Sequence, residues 1–180
     1  MPDGHRYPAE QRDAVYRVIA ERRDVRRGFL PDPVPADVLG RVLAAAHQAP
    51  SVGFSQPWDF IVVTDRRQLT ELAKVWRAAG HVARSAATIA MIAPSDRLER
   101  ARFDLGQAAM SIMLAAAGLG IGSGHSSVAD QELARQVLGF PEDMTCAFLI
   151  PLGYPAGRPL APVRVPDRRP FGEVVHRGRW

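Results

Sequence analysis

Arg22, Arg23, Arg26 and Arg27 stand around a single carboxylate, Asp24, in the stretch Arg22-Arg23-Asp24-Val25-Arg26-Arg27. A guanidinium is a planar fork of donors that suits phosphate and carboxylate oxygens taken two at a time. Joined by Arg168 and Arg169 from the tail, such forks could converge on an anionic ligand. The same arginines also fit the solvated end of a helix, where the dipole favours cations. Asp24 has two readings as well. It is a surface ion-paired carboxylate of little energetic worth, or an acid–base group whose proton affinity the site sets.

A second stretch, Ala49-Pro50-Ser51-Val52-Gly53-Phe54-Ser55-Gln56-Pro57-Trp58, precedes the apolar run Phe60-Ile61-Val62-Val63. Loops held between core elements often carry binding chemistry. Pro50 and Pro57 stiffen this one, and Gly53 lets its backbone approach a ligand closely. Gln56 can both donate and accept in a fixed plane. The plainer reading is a helix-to-strand connector whose Trp58 plugs the core. A third stretch, Gly118 to Gly124, has glycine at every second position and is followed by His125, Ser126 and Ser127. It follows a helix and lacks the third glycine of a dinucleotide fingerprint. No Gly-x-Ser-x-Gly elbow supports a serine hydrolase. His47, His81, His125 and His176 lack zinc-ligand spacing, so no metal site is expected.

The elements that must position these residues follow from periodicity. Residues 8–23 read as an amphipathic helix with Val15, Tyr16 and Ile19 on one face. A second helix spans 35–48, with Pro35 in its first turn and an apolar stripe of Val38, Leu39, Val42, Leu43 and Ala46. Strands are expected at 58–64, 87–93 and 144–153, with a short one in 118–124. Helices are expected at 66–79 after Asp65, at 98–119, and at 130–138 behind a capping Asp130. The helix 98–119 is apolar all round from Ala108 to Ala117 except for Ser111, which predicts that it lies inside the protein. The tail, 155–180, has no clear period. Its Val174, Val175 and Trp180 need something to pack on, and an arm over a partner subunit is one solution. Helices interleaved with strands imply a mixed sheet covered by helices, in one domain over 1–180.

The 180 residues, 47% hydrophobic and 23% charged, suffice for one sizeable core and exclude disorder. The formal net charge is +4, and Lys74 is the only lysine. Because the arginines form no long run, a nucleic-acid partner is disfavoured. Cys146 is the only cysteine, which excludes an intramolecular disulfide and predicts a buried, inert thiol. No apolar segment follows the first residues and no uncharged stretch reaches membrane-spanning length, so a cytoplasmic protein without membrane contact is expected.

The chain resembles the nitroreductase superfamily of FMN-dependent oxidoreductases. Within it, the nearest resemblance is to the BluB group, the 5,6-dimethylbenzimidazole synthases, which break down reduced FMN with oxygen. The likeness rests on Ala14-Val15-Tyr16-Arg17, Arg22-Arg23-Asp24-Val25-Arg26, Phe29-Leu30-Pro31, Ala45-Ala46-His47-Gln48-Ala49-Pro50-Ser51-Val52-Gly53-Phe54 and Gln56-Pro57-Trp58. It returns at Gly118–Gly124, Ser127, Leu138-Gly139, Leu152-Gly153 and around Arg168 and Pro170.

This resemblance implies an α+β fold, a mixed sheet flanked by helices, in a homodimer that exchanges C-terminal arms and holds FMN at its interface. By position, Arg22, Arg23 and Arg26 meet the flavin's phosphate and ring edge, and Arg168 binds the phosphate. Pro50, Ser51, Val52 and Gly53, with Gln56 beside them, line the ring from the partner subunit. Gly122 and Gly124 approach the ring closely. Asp24 and Ser127 take the positions of the BluB group's catalytic Asp and Ser. Departures are equally specific. The covering segment of that group has no counterpart between Asp65 and Asp104. His125-Ser126 replace its Trp-Val pair, and Ser55 replaces its Met. The leading expectation is therefore an oxidoreductase that reduces a small organic acceptor with hydride from NAD(P)H or free reduced flavin. Beside it stand a BluB-like synthase using O2 and a non-catalytic flavin- or deazaflavin-storage protein.

Overall fold

The computed structural model describes residues 6–157 and 168–180. Its centre is β2 (Ala87–Pro94), whose residues are buried on both faces up to the terminal proline. β2 pairs antiparallel with β1 (Asp59–Val63) on one side and with β5 (Met144–Gly153) on the other. β5 also carries two short partners, β3 (Gly122–Ser123) and β4 (Ser126–Ser127), both antiparallel. The expected mixed sheet is thus built of antiparallel ladders. Among the described residues its parallel component is a single bridge between Asp24 and Ser123.

Alternation along β2 divides the core in two. Ala87, Ile89, Met91 and Ala93 face α2 (Ala36–His47) and α4 (Leu98–Gly118), where Leu39, Val42, Leu105 and Ile112 meet them. Ala90 and Ile92 face α3 (Arg66–Leu72) and α5 (Gln131–Leu138), with Leu69, Leu72, Leu149 and Cys146. Burial pushes the Cys146 thiol up to about 12, which fits the expected inert state.

Local chemistry sets the ends of these elements. Asp130 accepts from the Leu133 N–H at 2.9 Å, as the expected cap, and Asp65, after which the helix was expected to open, accepts from the Gln68 N–H at 2.9 Å. Pro35 sits one position earlier than expected, at the N-cap of α2, because its extended ψ of 148° precedes the helix. The helix expected over 66–79 stops at Leu72. The chain continues in i→i+3 turns, Lys74 N to Glu71 O and Val75 N to Leu72 O, which carry Val75, Ala79 and Val82 into the second core. The expected strand through 118–124 begins only at Gly122. Gly118 closes α4, and Gly120 turns the chain with a φ of 77°.

Two expectations about burial change. α1 (Ala9–Glu21) buries no residue, and Val15, Tyr16 and Ile19 stay exposed. α4 is packed by β2, β5, α2 and, lightly, α1, and within 108–117 only Met110 stays exposed. Phe103 and Met110 are exposed among the described residues. In the tail, α6 (Phe171–Val174) is exposed, and Trp180 stacks on His176 with ring centroids 4.2 Å apart. Residues 158–167 of the expected arm lie outside the described residues. Among the described residues no helix is long and apolar enough to cross a membrane.

Candidate functional site

The arginine cluster begins where α1 ends. Arg22 leaves the helix with a ψ of 132°, and the chain runs extended alongside β3. Asp24 bridges to Ser123, and the Val25 N–H donates to the Ser123 carbonyl at 2.8 Å. Glycine permits this approach. A Cβ at Gly122 would lie 2.9 Å from Val25 Cγ2, and one at Gly124 would lie 3.0 Å from the Val25 oxygen. The close contact that these two glycines make within the chain is therefore with the arginine segment.

So fixed, Asp24 gathers three cationic or protonatable groups. Arg22 Nη1 donates to Oδ1 at 2.9 Å, and Arg26 Nη2 reaches Oδ2 at 3.5 Å. His125 Nδ1 lies 3.4 Å from the same Oδ2. Arg23 does something different, donating from Nη1 to the Ala20 and Arg22 carbonyls at 2.7 and 2.9 Å. It thereby satisfies carbonyls at the end of α1 that lack helical partners. On β4 the side chains alternate: Ser126 is buried, while His125 before it and Ser127 after it are exposed.

Behind this corner lies His81, almost wholly buried. Its Nδ1 contacts the Ala78 carbonyl at 3.1 Å, and the His125 backbone lies near enough to act on the ring as well. Burial holds its pKa below the ordinary 6.5. The charge of Arg26 acts in the same direction, and the Ala78 carbonyl opposes both. Ser123 Oγ is likewise buried, without a hydrogen-bond partner among the described residues.

The loop after α2 forms a second corner. Val52–Phe54 make one turn of 3₁₀ helix, and the Gln56 N–H donates to Ser51 Oγ at 3.0 Å. Gly53 has a φ of 60°, and Phe54 and Gln56 enter the left-handed region at 55° and 44° without being glycine. Such backbone strain gathers at functional sites. Phe54 is 89% exposed, whereas Trp58 is buried against Phe60 as the core plug the sequence suggests. α4 tethers the loop: the Val52 N–H donates to the buried Asp104 Oδ2 at 3.2 Å, and Gln107 Nε2 donates to the Pro50 carbonyl at 3.3 Å. A cavity of ≈ 770 Å³ opens beside it, lined by Val52, Gln56, Trp58, Arg97, Arg100 and Asp104 among others.

The structure thus brings Arg22, Arg23, Asp24, Arg26, Gly122 and Gly124 together, with Ser127 on the neighbouring strand. Pro50, Ser51, Val52, Gly53 and Gln56 form the second group. The two corners lie apart along α4. From Asp104 to Gly118 the helix rises about 20 Å. Arg168 opens the described part of the tail and is exposed.

Sequence reasoning missed Asp104 and His125 as parts of these corners, and His81 behind one of them. Asp104 could have been found as a carboxylate in an apolar helix, and His125 as a departure from a family pattern. His81 gives no such signal, since a turn buries it.

The donor set suits a phosphorylated planar cofactor. Three guanidiniums, Arg22, Arg23 and Arg26, against one carboxylate leave positive charge for a phosphate. Exposed Phe54 and the Cβ-free backbone of Gly53, with nothing within 4 Å of the missing Cβ, leave a surface for a flat ring. Among the described residues no three His, Cys, Asp or Glu side chains group as metal ligands.

Known proteins share the sequence pattern and the fold. The model of the nitroreductase family matches residues 19–79 and 67–154. A protein of Archaeoglobus fulgidus with the provisional name NADH dehydrogenase/NAD(P)H nitroreductase is 30% identical over 181 residues, covering 91% of this chain and 97% of its own. A 5,6-dimethylbenzimidazole synthase of Rhodobacter capsulatus is 29% identical over 200 residues, with 94% and 91% covered. A crystal structure from Bacteroides thetaiotaomicron, under the same provisional name as the first protein, superposes with a TM-score of 0.82 at 27% identity. It covers 93% of this chain and 98% of its own.

Proposed function

The chain belongs to the nitroreductase family, and from that premise we propose that it is an FMN-dependent oxidoreductase, a homodimer with flavin at its interface, that reduces a small organic acceptor with hydride from NAD(P)H. One observation carries this reading. The two corners that suit a flavin are complementary and lie apart along one helix, the loop tethered at Asp104 and Gln107 and the arginine segment beyond Gly118, which favours closing them on one ligand between two subunits. A two-fold pair closes them with the Pro50–Gln56 loop of one subunit meeting the Arg22–Arg26 segment of the other.

In this arrangement Arg22, Arg26 and Arg168 hold the phosphate and ring edge. Arg23 supports from the end of α1. Pro50, Ser51, Val52, Gly53 and Gln56 line the ring. When bound, FMN supplies the hydride chemistry, accepting from the nicotinamide and giving to the acceptor. Asp104 fixes the loop, and Gly122 and Gly124 allow the arginine segment its position.

The test is direct. The purified protein should be yellow and release FMN, about one per subunit, on denaturation. It should oxidise NADH or NADPH in the presence of a quinone or nitroaromatic. A colourless protein that gives no flavin spectral shift on titration with FMN overturns the reading. Flavin held without turnover would mark a storage protein instead, and deazaflavin is the second ligand to titrate.

Fragmentation of reduced FMN with O2 is a second reading, favoured by Asp24 and Ser127 standing at one corner. Against it stands the path of residues 65–104. They form α3, the turns after it, β2 and the start of α4, all packed on the core. Of these, Pro94, Arg97, Arg100, Ala101 and Asp104 line the cavity beside the loop, but no added segment stands over either corner, whereas a reactive oxygen adduct needs shelter from water. Dimethylbenzimidazole formed from reduced FMN and air, and lost in Asp24→Asn, would establish the second reading in place of the first.

A further inference from the structure

The corner at Asp24 holds a pair of groups that flavin binding does not require. His125 Nδ1 lies 3.4 Å from Asp24 Oδ2, and about half of the His125 side chain is exposed. Asp24 cannot easily turn away. Its other oxygen takes the Arg22 hydrogen bond at 2.9 Å, and its backbone bridges to Ser123. At this ion-pair distance the carboxylate, which accepts and does not donate, favours the ring proton on Nδ1. Nε2 is then the nitrogen left for exchange with a ligand or with water. The groups facing His125 are Asp24, with Arg22 and Arg26 bound to it, and His81 from the turn behind. Ser127 shares the outward side of β4.

We propose that His125 is the proton donor to the acceptor and that Asp24 is its positioning residue. The inference rests on the flavoenzyme reading above and adds a substrate class to it: acceptors such as quinones and nitroaromatics, whose reduction puts a proton on oxygen. Reducing a quinone carbonyl takes one hydride and one proton. The hydride would be supplied by the chemistry of bound FMN, with NAD(P)H as its source. The proton leaves Nε2 of the doubly protonated ring as an O–H bond forms on the acceptor. The ring remains neutral with its Nδ1 proton toward Asp24, and water restores the Nε2 proton. A carboxylate that holds an imidazole in one tautomer is a recurrent device for such transfer.

The experiment compares two acceptors in the FMN-loaded dimer. Menadione needs a proton, whereas ferricyanide takes single electrons and needs none. His125→Asn should lower kcat with menadione about a hundredfold while ferricyanide turnover falls less than twofold. Asp24→Asn should lower kcat for menadione with little change in KM.

A second readout needs no cofactor. In cofactor-free protein with ¹⁵N-labelled histidine, the shifts of His125 should report the Nδ1–H tautomer, and Asp24→Asn should remove that preference. Equal loss with both acceptors, or menadione turnover retained in His125→Asn, overturns the proposal. So does an Nε2–H tautomer in the wild type. If the wild type fails even with ferricyanide, the flavoenzyme reading falls first and this proposal with it.

Discussion

A methyl group at Gly124 would stand 3.0 Å from the Val25 carbonyl oxygen, a backbone atom with no side-chain freedom to yield. Gly124→Ala should therefore push the arginine segment off β3. The expected loss is about 1–3 kcal/mol of stability, the usual cost of overpacking, together with weaker FMN binding. Thermal melts and flavin titration of the variant check both. His81 supplies a pH test. Its folded-state pKa lies below the ordinary 6.5 because burial disfavours the charged ring. As pH falls below about 6.5, the unfolded chain takes up a proton before the folded one does, and stability declines. Above that value this contribution is constant. Urea midpoints from pH 5 to 8 should show a shallower acid decline in His81→Gln than in the wild type, and equal slopes would refute the assignment. At this scale the sequence was informative where residue types cluster, as at Arg22–Arg27, and silent where a turn brings distant residues together. His81 reaches Gly124 only because the segment after Leu72 abandons the helix.

The loop from Pro50 to Gln56 is held by an element distant in sequence. Asp104, buried in α4, accepts the Val52 N–H, and Gln107 reaches the Pro50 carbonyl. Asp104→Ala leaves a loop N–H without its acceptor, so a loss of about 1–3 kcal/mol follows. The same change should weaken FMN binding, because a loop with Phe54 and Gln56 in the left-handed region no longer has its anchor. Asp104→Asn, which keeps an acceptor oxygen, should recover most of the affinity, and isothermal titration of both variants with FMN distinguishes them. Element existence was readable because α2 carries an apolar stripe of period 3.6, while β2, β5 and α4 are continuous apolar runs of strand and helix length. Ends were less readable. The Gly118–Gly124 alternation looks like a strand, but the helix runs into its first glycine and Gly120 supplies a turn. Pattern also gave no strand direction, so the antiparallel ladders had to come from the structure. The apolar circumference of α4 was read as complete burial. Composition does not distinguish a face covered by the same chain from one left for another.

That uncovered face governs the whole molecule. Phe103, Gln107, Met110 and Leu114 recur at three- and four-residue steps along one side of α4. Leu114 also lines a small apolar depression with Ala14, Val15, Val18 and Ile19 of α1. Tyr16 is 72% exposed beside them. A monomer rarely leaves such a contiguous apolar surface in water. If a second copy covers it, the dimer and the flavin site are one structure, since each site needs a corner from each subunit. Ile19→Glu should then place a charge in the buried interface. Light scattering should report a monomer, and bound FMN should be lost at the same protein concentration. Deleting the chain after Gly157 tests the other contact. It keeps the Phe29–Pro155 bridge and removes α6 and Trp180. An exchanged arm predicts a weaker dimer and lower FMN content, and also removes Arg168 from the phosphate. The two variants separate the causes. A deleted chain that stays dimeric but binds FMN poorly, and binds riboflavin normally, assigns the tail to the phosphate alone. An Ile19→Glu protein that remains dimeric and yellow shows that the α1–α4 face is not the interface, and the two corners must then be joined through another surface.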